Sequence, residues 1–240
     1  VKYIRFIYLT IASTGNAKDF GDMVTTASGM YGGSNAIRGV FAGGYNPSQN
    51  TIQYVTIATR GNATEFGDLT AIRSSGCGCP TSPTRAVWAG GGNAENPDVT
   101  ISTIQSVNFG SKGNAIKFGD LTVASRPGSG GCSNSVRALF AGGYVPGVKW
   151  SAIDVLNIAS GGNATEGGDL SHKIYSPMAV SSQTRAVFAG GQDDSSPGKI
   201  NNIQYVNIST LGNAVSFGDL TKPGRAGGTA SDSHGGLGGF

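Results

Sequence analysis

The sequence predicts an all-β chain, a five-bladed β-propeller built from four-stranded antiparallel blades. Three observations carry this expectation. First, one phrase is written five times. Gly-Asn pairs stand at Gly15-Asn16, Gly61-Asn62, Gly113-Asn114, Gly162-Asn163 and Gly212-Asn213, and Gly-Asp pairs follow at Gly21-Asp22, Gly67-Asp68, Gly119-Asp120, Gly168-Asp169 and Gly218-Asp219. Second, successive copies lie 46 to 52 residues apart, which suits one blade and is too long for leucine-rich or ankyrin units. Third, short apolar runs alternate with glycine-rich turns, and no helical apolar period appears within a copy. A single copy cannot bury its own apolar face, so the copies must stack into one domain spanning 1–240. Glycine makes up 40 of 240 residues, far above the usual ~7%, as expected of strands packed close to a shared axis.

Taken in chain order, residues 2–12 read as the third strand of a blade and 17–22 as its fourth. The apolar start from Val1 to Leu9 carries Arg5 and runs directly into the repeat, so it reads as a strand and not as a signal peptide. Complete blades are expected at about 23–72, 73–121, 122–171 and 172–221. The second of these shows the pattern. Small residues from Ser75 to Ser82 make a first strand near the axis, with Gly76 and Gly78 here and Gly128, Gly130 and Gly131 in the next copy. Arg85 to Gly91 makes the second strand, ended by two glycines. A variable loop spans 92–100, and Ile101–Phe109 makes the third strand. Gly113-Asn114 supplies a tight turn because both residues tolerate positive φ, and Ala115–Leu121 makes the fourth strand. At the end of the chain, 224–231 reads as one more first strand and 234–240 as a degenerate second. Together 222–240 and 1–22 are expected to share a fifth blade and close the ring, leaving no exposed sheet edge.

These residues resemble the kelch family. Second strands ending in Gly-Gly recur as Gly-Val-Phe-Ala-Gly-Gly at 39–44, Ala-Val-Trp-Ala-Gly-Gly at 86–91, Ala-Leu-Phe-Ala-Gly-Gly at 138–143 and Ala-Val-Phe-Ala-Gly-Gly at 186–191. Third strands carry Tyr54 and Tyr205. Where kelch blades have a Trp in the fourth strand, this chain has Phe20, Phe66, Phe118 and Phe217, with Gly167 as the exception. Kelch propellers usually have more repeats than the five found here. The phrase Gly-Asn-Ala-x-x-Phe-Gly-Asp-Leu-Thr is also similar to repeats in marine bacteriophage virion proteins. That resemblance implies a place on a virion surface or an extracellular one, as a tail, fibre or decoration module.

The repeated Asp22, Asp68, Asp120, Asp169 and Asp219 could be read as five cation sites. One carboxylate per blade, flanked by Gly and Leu or Met, cannot surround calcium with oxygens. The matching repetition of Arg38, Arg85, Arg137 and Arg185 favours a structural framework, with each Asp accepting backbone hydrogen bonds or pairing with a neighbouring blade's Arg. The three cysteines, Cys77, Cys79 and Cys132, form no disulfide pattern and no metal spacing, and read as small buried hydrophobes. No metal or cofactor is expected. A net charge of +3 gives no nucleic-acid surface, and no apolar run is long enough for membrane insertion by a helix. The sequons at Asn62 and Asn163 mean glycosylation only in a host with that pathway.

Catalysis needs unlike groups converging on one point. The non-repeated carboxylates are Asp19, Glu65, Glu95, Asp98, Asp154, Glu166, Asp193, Asp194 and Asp232, and they show no paired arrangement. His172 and His234 lie in different blades without a nucleophile motif. The loops between second and third strands hold the clearest sequence diversity. They emerge on one face and offer Tyr45, Asn46, Asn93, Asn96, Tyr144, Lys149, Trp150, Asp193 and Asp194 as binding residues. The expected protein is therefore a non-catalytic binding or structural propeller. Its expected partners are other virion or surface proteins, or a cell-surface glycan. A lectin-like carbohydrate-binding protein is the alternative, and a glycoside hydrolase a distant third.

Overall fold

The computed structural model describes residues 5–45, 47–74, 78–93, 96, 99–125, 127–128, 130–195 and 198–231. Among them are 18 strands and no helix. Every strand pairing is antiparallel, and the sheets are arranged like the blades of a propeller. After a hairpin of β1 (Arg5–Tyr8) and β2 (Lys18–Asp22), the first blade runs β3 (Tyr31–Ser34), β4 (Arg38–Ala42), β5 (Gln49–Thr56) and β6 (Thr64–Ser74). The second uses β7 (Arg85–Ala89), β9 (Thr103–Asn108) and β10 (Ile116–Asp120), while the short β8 (Gly92–Asn93) joins the edge of β6. The third runs β11 (Gly131–Ser133), β12 (Arg137–Val145), β13 (Val148–Asn157) and β14 (Thr165–Ile174). The fourth runs β15 (Met178–Ser181), β16 (Arg185–Ala189), β17 (Asn202–Asn207) and β18 (Val215–Asp219).

Four blades are formed, where the sequence reading expects five. In the second blade the described part of the expected first strand, 78–82, contributes a bridge between Thr81 and Ala86, and 75–77 lie outside the described residues. The material of the expected shared blade is divided. The β1–β2 hairpin stands as its own two-stranded sheet beside the first blade. Residues 224–231 lie against β15 without becoming a strand: the Ala226 N–H donates to Ser176 O (3.1 Å) and Thr229 Oγ1 to Ala179 O (2.7 Å). The expected second strand at 234–240 lies outside the described residues.

The repeated phrase makes the joints between blades. Four of the five Gly-Asn turns cross the strand that carries the preceding Gly-Asp, first β2 and then the fourth strands of successive blades. Gly61 N–H donates to Phe20 O (2.8 Å) and Ala63 N–H to Asp22 O (2.7 Å). Gly113 and Ala115 do the same on Phe66 and Asp68, Gly162 and Ala164 on Phe118 and Asp120, and Gly212 and Ala214 on Gly167 and Asp169. The turn Asn returns a bond, its Oδ1 accepting from the N–H of Asp22, Asp68, Asp120 or Asp169. The apolar core fills the space between blades. One cluster joins Val40, Ile52, Phe66 and Leu69 of the first blade to Trp88, Val107 and Phe109 of the second.

The series of joints stops at β18. At Gly218 no neighbour lies within 4 Å of where a side chain would begin. Phe217 is 57% exposed, whereas its counterpart Phe66 is 3% exposed. At the other end of the series Ile11 is fully exposed and its counterpart Ile57 is 43% exposed, while the later counterparts Phe109, Ile158 and Ile208 are buried.

A second repeated device is a polar key from the third strand of each blade. Gln53, Gln105 and Gln204 accept the N–H of Val24, Thr70 and Ser171. In the third blade this key is Asp154, which accepts from Thr122 Oγ1 (2.5 Å) and, through its other oxygen, from Thr122 N–H (3.2 Å). Burial pushes the Asp154 carboxyl above the ordinary carboxylate range; the Thr122 bonds oppose this and the negative charge of Glu166 adds to it. A raised folded-state pKa means that the folded chain keeps a proton that the unfolded chain releases. The associated stability is present at low pH and is lost as pH rises through the folded value. The melting temperature of the wild type minus that of Asp154→Asn is therefore expected to fall as pH rises from the ordinary carboxylate range into the neutral range. Scanning fluorimetry across that range checks it, and a flat or rising difference would count against a carboxyl strained by burial.

Candidate functional site

In an antiparallel meander the loops joining second to third strands leave from the end opposite the Gly-Asn turns. The linkers from each fourth strand to the next blade return to that same end. Variable loops and linkers therefore share one face. The inner strands surround an axial cavity of about 880 Å³, and its rim on this face carries Tyr45, Tyr175, Lys199 and Arg225. Tyr45 is exposed and is held by paired backbone bonds to Ser28 (2.9 Å each). Tyr175 packs against Tyr144, with ring centroids 5.7 Å apart, and the Arg225 guanidinium lies 5.8 Å from the Tyr175 ring. Deeper in the cavity, a run of hydroxyls ties neighbouring inner segments together. Thr81 Oγ1 donates to Ser34 O (2.9 Å), Ser133 Oγ to Thr81 O (2.8 Å) and Ser181 Oγ to Ser133 O (2.7 Å).

The other sequence-predicted binding residues are spread around this face. Asn93 ends β8, and Asn96 is exposed in the following loop. Asn46 lies outside the described residues. The 144–150 segment is not an open loop: β12 and β13 run through it, with Tyr144 pairing Lys149 and Val145 pairing Val148 around a turn at 146–147. Trp150 is consequently a half-buried strand residue, with its indole N–H buried and unpaired. Lys149 forms an ion pair with Asp194 from the fourth blade. The hydroxyl and N–H of Ser195 hold the Asp193 carboxylate below its usual range, with the positive potential of His172 and Lys149 adding to this.

The framework residues lie elsewhere. Asp22, Asp68, Asp120 and Asp169 are half-buried and Asp219 is exposed. Asp120 accepts from Ser102 Oγ (3.1 Å) and pairs with Lys117 (2.8 Å), and Asp169 accepts from Ser151 Oγ (2.7 Å). The repeated arginines reach backbone carbonyls of the next blade. Arg38 donates to Phe109 O, Arg85 to Ile158 O (3.0 Å) and Arg137 to Ile208 O (2.6 Å), while Arg185 at the open end lies over Tyr205. Cys79 and Cys132 are free, and burial pushes both thiols up, that of Cys132 to about 12. No cluster able to hold a metal ion occurs among the described residues. Ser171 Oγ lies 2.8 Å from His172 Nδ1 at an exposed site, and among the described residues no carboxylate hydrogen-bonds the ring.

Tyr175 and Arg225 were not legible as site residues. Tyr175 lies just before β15, and Arg225 lies in the segment 224–231 that the sequence marks as a first strand; only the fold makes them line one cavity with Tyr45. No protein-family model and no curated protein matches this chain. The fold defines a propeller-type repeat protein.

Proposed function

We propose that this chain is a non-catalytic recognition module and that the variable-loop face, centred on the rim of the axial cavity, is its contact surface. The observation that supports this most is a coincidence of place. The non-repeating loops, the exposed Tyr45 and the cavity rim all lie on one face, while the opposite face repeats one Gly-Asn turn. A rigid scaffold carrying divergent loops is the usual arrangement for binding. The wording of the repeat supports placing the module on a bacteriophage virion, as part of a tail, fibre or decoration protein. A fold alone names no function, so this assignment rests on the resemblance.

Two triple variants test the face. Tyr45→Ala, Asn96→Ala and Lys199→Ala alter the variable side. Ser111→Ala, Ser160→Ala and Thr210→Ala alter exposed side chains at the Gly-Asn turns. Both should keep the wild-type melting temperature within a few degrees. The first is expected to lose binding to purified virions or on a glycan array, and the second to keep it. Loss confined to the second variant would invert the assignment of the faces.

A further inference from the structure

We propose that this chain associates head to tail, with β18 of one copy receiving the Gly15-Asn16 turn of the next. The joints within the chain supply the template. In each, a Gly-Asn turn donates two backbone N–H groups to carbonyls of a Gly-Asp strand, and its Asn side chain accepts the Asp N–H. Apolar residues pack around these bonds. Phe109 and Ala115 meet Phe66 and Leu69, and Ile158 and Ala164 meet Phe118 and Leu121. The chain carries five such turns and five such strands but forms four joints, so one turn and one strand are left over.

The two leftover parts are complementary and both are uncovered. Residues 9–19 are exposed throughout, Leu9 and Ile11 included, and nothing lies within 4 Å of a Cβ placed at Gly15. β18 is exposed along its length, including Val215 and Phe217, and Gly218 is equally clear. The arginines give an independent sign. Arg38, Arg85 and Arg137 are half-buried where they donate to the carbonyls of Phe109, Ile158 and Ile208 in the next blade, whereas Arg185 is exposed and lies over Tyr205. The matching carbonyl for Arg185 is that of Ile11 in the next copy. The hairpin bearing the free turn is held on the first blade by the Gly61 and Ala63 bonds and by Phe6 against Phe41, with ring centroids 4.6 Å apart. In that place neither Gly15 nor Gly218 meets the other's segment, so a second copy is the occupant that carries the right surface. Two different patches meeting in this way make a heterologous contact, which builds a ring if it closes and a filament if it does not. A single joint is small, so association is expected only above about 10 µM, and the dilute chain keeps β18 uncovered.

The test is sedimentation velocity with light scattering on the whole chain, from about 5 to about 200 µM. The average mass is expected to rise from the 24.3 kDa of one chain to at least about twice that value at the top of the range. Phe217→Asp and Ile11→Asp should each stay monomeric there, while keeping the wild-type melting temperature when dilute, because both side chains are exposed. Mixed in equal amounts, the two variants should form a dimer and nothing larger. One intact contact remains in the mixture, between Ile11 of the first variant and Phe217 of the second. Arg185→Ala should weaken wild-type association at least about 3-fold. A wild type that stays monomeric throughout, association that persists in either aspartate variant, or a mixture that stays monomeric would each overturn the proposal.

Discussion

Phe66→Ala should unfold this protein far more readily than Phe217→Ala, although the two residues occupy the same place in the repeat. Phe66 is enclosed between the first and second blades, against Trp88, Phe109 and Ala115, with Tyr54 edge-on at 5.7 Å. Removing a buried aromatic ring costs about 3–5 kcal/mol, through lost burial and the cavity left behind. In a chain of this size that is roughly 6–20 °C of melting temperature. Phe217 keeps the same edge contact, with Tyr205 at 5.9 Å, but no further blade covers it. Its loss should cost less than about 1 kcal/mol. Thermal melts of the two variants decide the matter. Equal destabilisation would mean that β18 is covered in solution, and the open end would have to be abandoned.

Gly119→Ala should be the most damaging single-methyl change in the chain. A Cβ at Gly119 would collide with the carbonyl of Gly162, which is backbone and cannot swing aside. Relief requires the second and third blades to separate. That would break the bonds from Gly162 and Ala164 to Phe118 and Asp120 (2.8 Å each). A cost of about 4 kcal/mol or more is expected, in the range reserved for overpacking with loss of buried polar contacts. Gly218→Ala is the control. Its φ of +149° is unfavourable for alanine, but no atom lies within 4 Å. It should cost only about 1–3 kcal/mol, from the backbone alone. Similar melting temperatures for the two variants would show that the interblade collision is relieved cheaply, and that the Gly-Asp glycine serves the backbone and not the joint.

The sequence by itself determined the repeat unit. Gly-Asn turns, Gly-Gly strand ends and alternating apolar residues act over a few neighbours, so the antiparallel meander was legible wherever those signals were complete. The recurrence of the Asp in five copies and of the Arg in four was also legible, and it is the ground for expecting a framework role. Their partners were not legible. That Arg85 reaches Ile158 O and that Asn114 reaches back to Asp68 depend on how one blade is set against the next.

Tertiary structure alone decided three things. It divided the material of the expected fifth blade between the β1–β2 hairpin and the 224–231 segment, because a closing strand must win long-range pairings that local signals do not encode. It drew Trp150 into β13, since a tight hairpin at 146–147 satisfies more backbone groups than an open loop. It also made Tyr45, Tyr175 and Arg225 line one cavity. Those residues come from separate repeats, and their sharing a cavity is a property of the radial arrangement of blades, which no single stretch of sequence contains.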